Sequence, residues 1–457
     1  MAKMNLQITY DNKAQIISVH DSMVPFVGME DLFENFRFLV PEKKNWFGSL
    51  PFPDRIDSLG LPTSTSPYQM LKSPKMVRYA KDHPKAKYLV YSPIGAPYKI
   101  NPLQIIMNSP TLTHAYENKR YFREEFSELI RMPDYEVWRI DQLDRANAHR
   151  EIKKTLGDKI VLQDEESSGS KGTFVVNSTD EFADAVAALK RNARGRSIIV
   201  SAFVEGTIAS VQVCISRYGI FAGAIQKQMI GTPELCNPDL VGSSAWCGGE
   251  VGVRMSDIIH HQAQEMATIV GSELSSHGYK GIFGIDLIIT PSNQVYAIEI
   301  NARLTGYSHI ISDMQMREGK IPFMLLHTLE LANMPYEVTD LNALPSNSFF
   351  SKPQSLMIVN NSLPDDFLLK QAVIPGKYQI DSAGNMQFVK PAARMNGYKD
   401  ESTFLLMYTR DEGQAVPSGR RIVYIVKPGK ALIGKKLGPK SKRIVEAVKR
   451  HIGLPEA

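Results

Sequence analysis

The sequence is poor in cysteine, with three in 457 residues, at Cys214, Cys236 and Cys247. So few thiols exclude a disulfide framework and fit a reducing compartment. The ten residues between Cys236 and Cys247 are not zinc-knuckle spacing, so the thiols read as core side chains. Long apolar runs are also missing, and none approaches the ~20 residues of a membrane span. The opening MAKMNLQITYDNK lacks the apolar core of a secretory signal. The expectation is a soluble, cytoplasmic protein that meets no membrane. No internal repeat is evident, which argues against a solenoid or propeller.

What is present is ordinary globular composition. The chain is 43% hydrophobic and 22% charged, which excludes wholesale disorder. Its length exceeds one compact core and suggests two to four domains. The net charge of +5 is unevenly placed. From Lys427 to Arg450 nine Lys or Arg face one Glu, giving +8 and leaving about −3 for the rest.

The pattern predicts four segments. Residues 1–117 read as an α/β domain, with strands in AQIISV and KYLVY and a long Pro/Gly/Ser-rich loop between them. Residues 118–197 and 198–340 carry the stronger signals: a helix in KRYFREEFSELI, then strands KIVLQ, TFVVN, SIIVSAFV, ASVQVCIS and GIFAGAIQKQMI. A Gly-rich loop, 231–252, precedes a long amphipathic helix from Asp257. Residues 341–457 alternate short strands and turns and end in the helix SKRIVEAVKRHI, a small β-rich domain with a basic tail.

The stretch GIDLIITPSNQVYAIEINARLTG carries the sharpest chemistry. GIDLIIT and QVYAIEIN alternate like strands, with PSN as the turn. If Thr290 faces Val295, then Asp286 falls opposite Glu299 and Asn301 opposite Gly284, all on one face. The other face collects Ile285, Leu287, Ile289, Tyr296, Ile298 and Ile300 as core. Carboxylates directly opposite repel. A divalent cation removes the difficulty, because Mg²⁺ takes hard oxygen ligands from one or two carboxylates and completes its shell with phosphate and water. Asn301 adds a carbonyl oxygen. Arg303 continues the face and suits a developing oxyanion.

Upstream, Ser167, Ser168, Gly169, Ser170, Lys171 and Gly172 lie between two strands, where small residues let backbone N–H groups approach phosphate oxygens. A plain hairpin turn explains the same residues equally well. Lys119 falls on the apolar face of its helix with Phe122 and Phe126, so it either snorkels or has a negative partner. Lys227, among apolar neighbours in AIQKQMI, poses the same question.

Together these residues resemble the ATP-grasp superfamily over roughly Asn118 to Asn333. Members carry an acid, then about a dozen residues later Glu-x-Asn and often x-Arg, as in Asp286, Glu299, Asn301 and Arg303. They also carry a helical lysine like Lys119 and a flexible Gly-rich loop like Ser167–Gly172. A strand-ending adenine hinge resembles Ala202, Phe203, Val204 and Glu205, and a later Gln-Lys resembles Gln226-Lys227. The resemblance implies an α/β (α+β) ATP-grasp fold with an N-terminal α/β domain before it and a β-rich domain after it. It further implies a ligase that phosphorylates a small-molecule carboxylate from ATP and couples the acyl phosphate to an amine, releasing ADP and phosphate. Asp286, Glu299 and Asn301 would hold Mg²⁺, or Mn²⁺ in its place. Lys119, Gln163, Lys227, the Gly-rich loop and the hinge would hold nucleotide, and Arg303, with Lys227 again, would act in catalysis. A homodimer is compatible with this reading.

Two departures stand out. Gln163 occupies the place of a lysine common in the strand before the Gly-rich loop, and Ile208 stands near the place of a ribose-binding acid, with Glu205 three residues earlier. They keep open a nucleotide-binding protein without ligase activity. The Glu-His of the biotin carboxylase branch is missing after Arg303, and no biotin-attachment motif is seen. The tail offers two rivals. KPGKALIGKK matches G-x-x-x-x-G-K after a strand but lacks the Ser or Thr that binds Mg²⁺. Clustered basic residues could bind nucleic acid. However, Ile444, Val445, Val448 and Ile452 form one apolar stripe, which favours a helix packed on the C-terminal strands.

Overall fold

The computed structural model describes residues 6–167, 172–237, 245–344, 350–395, 402–407 and 410–455. Ser168, Gly169, Ser170 and Lys171 of the Gly-rich loop lie outside the described residues. The rest forms a mixed α/β architecture around three principal sheets.

The first is a parallel sheet of β1 (Ile16–Val19), β2 (Arg37–Val40), β3 (Ile56–Ser58), β4 (Lys87–Val90) and β5 (Ile105–Ile106), in the order β3-β2-β1-β4-β5. Its strands are short and apolar because helices and loops cover both faces. The segment read as one long loop contains β3. Two helices follow: α1 (Pro110–Glu117), capped by Ser109, and α2 (Lys119–Phe126), capped by Asn118. Asn118 ends one helix and starts the next. Its extended backbone breaks the run, and its Oδ1 accepts the N–H of Tyr121 at 3.0 Å. This break places Glu117 and Lys119 on either side of a sharp turn.

A small antiparallel sheet comes next. It comprises β6 (Tyr135–Arg139), β7 (Ile160–Asp164), β8 (Thr173–Val176) and β9 (Ser197–Ala202), in the order β6-β9-β7-β8. Helix α3 (Thr179–Asn192) covers it with Phe182, Ala185, Val186 and Leu189.

The third sheet has ten strands. Its first half is β10 (Thr207–Ser216), β11 (Gly219–Ile230), β12 (Trp246–Val251), β13 (Gly281–Ile289) and β14 (Val295–Asn301). Its second half is β15 (Gln354–Asn360), β16 (Gly376–Ile380), β17 (Met386–Pro391), β18 (Thr403–Leu406) and β19 (Arg421–Pro428). The order is β14-β13-β10-β11-β12-β15-β19-β18-β16-β17, so the C-terminal strands continue the central sheet edge to edge through β12. Sequence reading placed β12 inside a Gly-rich loop. Its glycines answer to crowding instead. A Cβ at Gly248 would lie 2.1 Å from the Leu356 carbonyl oxygen, and one at Gly249 would lie 2.1 Å from Oη of Tyr307.

One face of β10, β11, β13 and β14 packs on α4 (Asp257–Ser276) through Ala209, Val211, Ile225, Ile285 and Leu287 against Ala263, Met266, Ala267 and Val270. The other face is covered by α5 (Ser308–Arg317) and α6 (Phe323–Leu331), which also join the core of the first domain. Helix α7 (Pro439–Ile452) buries Ile444, Val445, Val448 and Ile452 against the C-terminal strands, with Cys236 and Cys247 in the same core. Among the described residues no helix is long and apolar enough to cross a membrane.

Candidate active site

The hairpin β13–β14 places the two acids as the alternation required. Asp286 pairs with Glu299, and Gly284 with Asn301. The route to that register differs from the one assumed. Ile289, not Thr290, faces Val295, and Leu287 faces Ala297; a bulge between Leu287 and Asp286 then restores the offset so that Asp286 faces Glu299. The bulge also changes the core face of β14. Val295, Ala297 and Ile300 are buried, while Tyr296 and Ile298 are only partly so.

Each acid has its own partners. Gln228 Nε2 donates to Asp286 Oδ1 at 3.0 Å, and Asn301 Nδ2 donates to Asp286 Oδ2 at 3.2 Å. With its amide nitrogen so engaged, Asn301 keeps its carbonyl oxygen as a ligand atom. Glu299 Oε2 lies 3.2 Å from Nζ of Lys119, a lysine only 4% exposed. Lys119 also donates to the carbonyl of Ser167, the last described residue before the Gly-rich loop. One ammonium thus ties the helix start, the loop entry and the acid hairpin together.

The electrostatics separate the two carboxyls. Burial, and then the charge of Glu299, push Asp286 well above the ordinary carboxylate range. Burial pushes Glu299 up as well. The ammonium of Lys119 and the hydrogen bonds from Asp286 and Lys119 outweigh it, leaving Glu299 below its ordinary value. Of the two, Asp286 is therefore the carboxyl that holds a proton more tightly. A divalent cation would displace it, and the donor set fits Mg²⁺: two carboxylates and an amide oxygen, all hard. Among the described residues no group of three His, Cys, Asp or Glu could hold a metal on its own. A cation here would take its remaining ligands from phosphate and water.

Arg303 is bound by Glu117, the last residue of α1. Burial acts to lower its pKa, but Glu117 and Tyr91 raise it more, so the guanidinium is held charged. Sequence reading missed Glu117. It also missed Gln228 and Arg123, whose signals were a strand position two past Gln226 and a helix position four past Lys119.

Lys227 is not brought to the acids. Strand alternation sends Gln226 and Gln228 to the Asp286 face, where Ser210 Oγ donates to Gln226 Oε1 at 3.0 Å. Lys227 leaves from the opposite face, and its Nζ donates to the Gly434 carbonyl at 3.3 Å. The tail motif there is a hairpin, with Leu432–Ile433 pairing Lys436–Leu437. The N–H groups of Ala431 and Leu432 both donate to Glu250 Oε1 at 2.7 Å. Those amides face a protein carboxylate, so the segment is not a phosphate cradle of the P-loop kind.

Gln163 sits on β7, accepting from Arg123 Nη2 at 3.1 Å. Gly172 has a φ of +75° and closes the loop, its carbonyl accepting the N–H of Asp164 at 3.0 Å. At the hinge, the Ala202 N–H donates to the Asp134 carbonyl at 2.9 Å and that of Phe203 to the Lys159 carbonyl at 3.0 Å. Val204 is partly buried and Glu205 exposed. The hinge runs tight against β13, where a Cβ on Gly206 would lie 2.5 Å from the Ile289 carbonyl oxygen. The segment after Arg303 meets β12: Trp246 Nε1 donates to Tyr307 Oη at 3.1 Å, and Tyr307 Oη donates to the Gly248 carbonyl at 2.7 Å.

Residues 116–307 match the family model of the ATP-grasp domain. No curated protein matches the sequence. Among solved structures the chain resembles a biotin carboxylase–β-γ-ATP complex from Campylobacter jejuni, with TM-score 0.61, 12% identity and coverage of 91% of this chain and 87% of that one. It resembles an L-amino acid ligase from Bacillus licheniformis with TM-score 0.57, 14% identity and coverage of 97% and 98%. It also resembles a phosphoribosylamine–glycine ligase from Thermotoga maritima with TM-score 0.57, 12% identity and coverage of 96% of each chain. At these identities the likeness establishes the fold.

Proposed function

We propose that this chain, whose residues 116–307 match the family model of the ATP-grasp domain, is an ATP-dependent carboxylate–amine ligase. In this reading ATP phosphorylates a small-molecule carboxylate. An amine then attacks the acyl phosphate, and ADP and phosphate leave.

The observation that carries the reading is the Lys119–Glu299–Asp286 arrangement: a buried ammonium 3.2 Å from one of two facing carboxylates. A polar face needs no such pair, whereas a cation with a polyphosphate does. Mg²⁺, when bound by Asp286, Glu299 and Asn301, supplies charge neutralisation at the transferring phosphoryl group. Lys119 would orient Glu299 and meet phosphate charge from the helix side. Arg303, held by Glu117, would stabilise the oxyanion formed when the amine attacks. The Gly-rich loop would close on the phosphates and keep water from the acyl phosphate. The start of β12 at Trp246 and the turn after Arg303 meet at Tyr307, a place suited to receive the acid. Lys227 has no catalytic part in this reading, and Gln228 takes the place beside Asp286.

The test is phosphate release from Mg-ATP in the presence of mixed amino acids and other small carboxylates. The reading expects ADP and phosphate, dependent on both acid and amine. Glu299→Ala should abolish it; full activity in that variant would remove the assignment.

A further inference from the structure

Arg123 is a buried cation with no ion-pair partner within salt-bridge distance among the described residues. It is 1% exposed, among the largest fully buried side chains of the molecule. Its Nη2 donates to Gln163, and the Tyr135 ring centroid lies 5.5 Å from its Cζ. Among the described residues its Nε and Nη1 have no hydrogen-bond partner. Burial lowers its pKa to about 10, so it stays charged at neutral pH. A buried charge with two unsatisfied donor nitrogens is costly, and native structures keep such groups for a reason.

Its position gives the reason. Arg123 follows Lys119 by one turn of α2, so the two cations share a helix face. Lys119 reaches Glu299 and Ser167. Arg123 reaches Gln163 on β7, the strand that runs into the Gly-rich loop. It also feels the charge of Glu299. The two side chains therefore lie on the one face of α2 that joins the small sheet to the acid hairpin. A lysine at 163 would set a second cation against this guanidinium. Gln163 instead accepts from it and turns its own Nε2 to Thr173 Oγ1 at 3.4 Å.

We propose that Arg123 contacts the phosphates of a bound nucleoside polyphosphate, supplying from the helix the positive charge that position 163 lacks. This inference rests on the ATP-dependent reading above. A planar fork with two open donors suits a group with several anionic oxygens. The diphosphate of MgADP provides one, and adenosine does not. Gln163 is then one half of an exchange of charge between strand and helix, and the departure at 163 does not disable the site.

The test is calorimetric binding of MgADP and adenosine to the full chain, with thermal melting of each ligand-free variant. Arg123→Met should weaken MgADP about 10- to 100-fold and leave adenosine unchanged. Its ligand-free melting temperature should not fall, because an unpaired buried charge has been removed. Gln163→Lys in the Arg123→Met background should restore at least tenfold. Arg123→Lys, should the Met variant not fold, is expected to lose several-fold through the missing fork. Wild-type affinity for MgADP in Arg123→Met or Arg123→Lys overturns the proposal while leaving the ATP reading intact. Failure of the wild-type protein to bind MgADP overturns both.

Discussion

Nζ of Lys119 lies 3.2 Å from Oε2 of Glu299, joining the first turn of a helix to a hairpin 180 residues later. The contact ties the start of α2 to the hairpin of the large sheet. Lys119→Met should leave Glu299 without its cation, raise the carboxyl's pKa and weaken Mg-nucleotide binding by about 10-fold or more. Because it breaks a buried pair, it should also lower ligand-free stability by about 3 kcal/mol. Calorimetry and chemical denaturation read the two effects.

Asp286 should behave in the opposite sense. Its carboxyl is raised by burial and by Glu299, so the folded protein keeps a proton that the unfolded chain loses. The associated stability is full below the ordinary aspartate range and is lost as pH rises through the raised value. Asp286→Asn should therefore raise the ligand-free melting temperature at neutral pH by about 2–4 °C and abolish Mg-dependent nucleotide binding. A lower melting temperature would show that the pair does not repel.

The same proton gives a signature on binding. A cation at Asp286 must displace it. The calorimetric enthalpy of MgADP binding should vary with the ionisation heat of the buffer, showing proton release that falls as pH rises through the raised range of Asp286. A buffer-independent enthalpy across that range would contradict the assignment of the proton to this pair.

Much of the large sheet was legible because its strands alternate cleanly. GIFAGAIQKQMI became a strand over the same residues, Gly219–Ile230. The facing of Asp286 and Glu299 was also legible, though from an assumed turn that a bulge corrected. The rest depended on information a linear pattern does not hold. Glu117 meets Arg303 only because α1 packs beside β14. Strand β12 was hidden by Gly248 and Gly249, residues that usually mark loops but here allow close backbone approach. Lys227 drew attention as a charge among apolar residues, yet its parity on the strand turns it away, and the neutral Gln228 faces the acid.

Arg303 and Glu117 should separate in kinetics. Arg303→Met should reduce kcat about 10²- to 10³-fold, as expected for a lost oxyanion donor. Glu117→Gln, which only frees the guanidinium, should cost about 10-fold. Steady-state rates with the preferred substrates decide this. Equal losses in both would make Arg303 a structural partner of Glu117.

In the tail, Glu250 is 1% exposed and accepts two backbone N–H groups of the Ala431–Leu432 turn. Glu250→Ala should leave both donors unpaired and cost about 2–4 kcal/mol of stability in denaturant unfolding. Nucleotide affinity should not change, because these amides bind the protein's own carboxylate. A loss of affinity in the folded variant would revive a phosphate role for this hairpin.

The most direct test of the central claim follows oxygen. The protein is supplied with Mg-ATP, amines and carboxylates labelled with ¹⁸O at the carboxyl group, and the released phosphate is analysed by mass spectrometry. Attack of the carboxylate on the γ-phosphorus, followed by amine capture, transfers one ¹⁸O to phosphate and yields ADP. That is the expected result. Unlabelled phosphate, or AMP and pyrophosphate as products, would contradict an acyl phosphate formed at Asp286, Glu299 and Arg303.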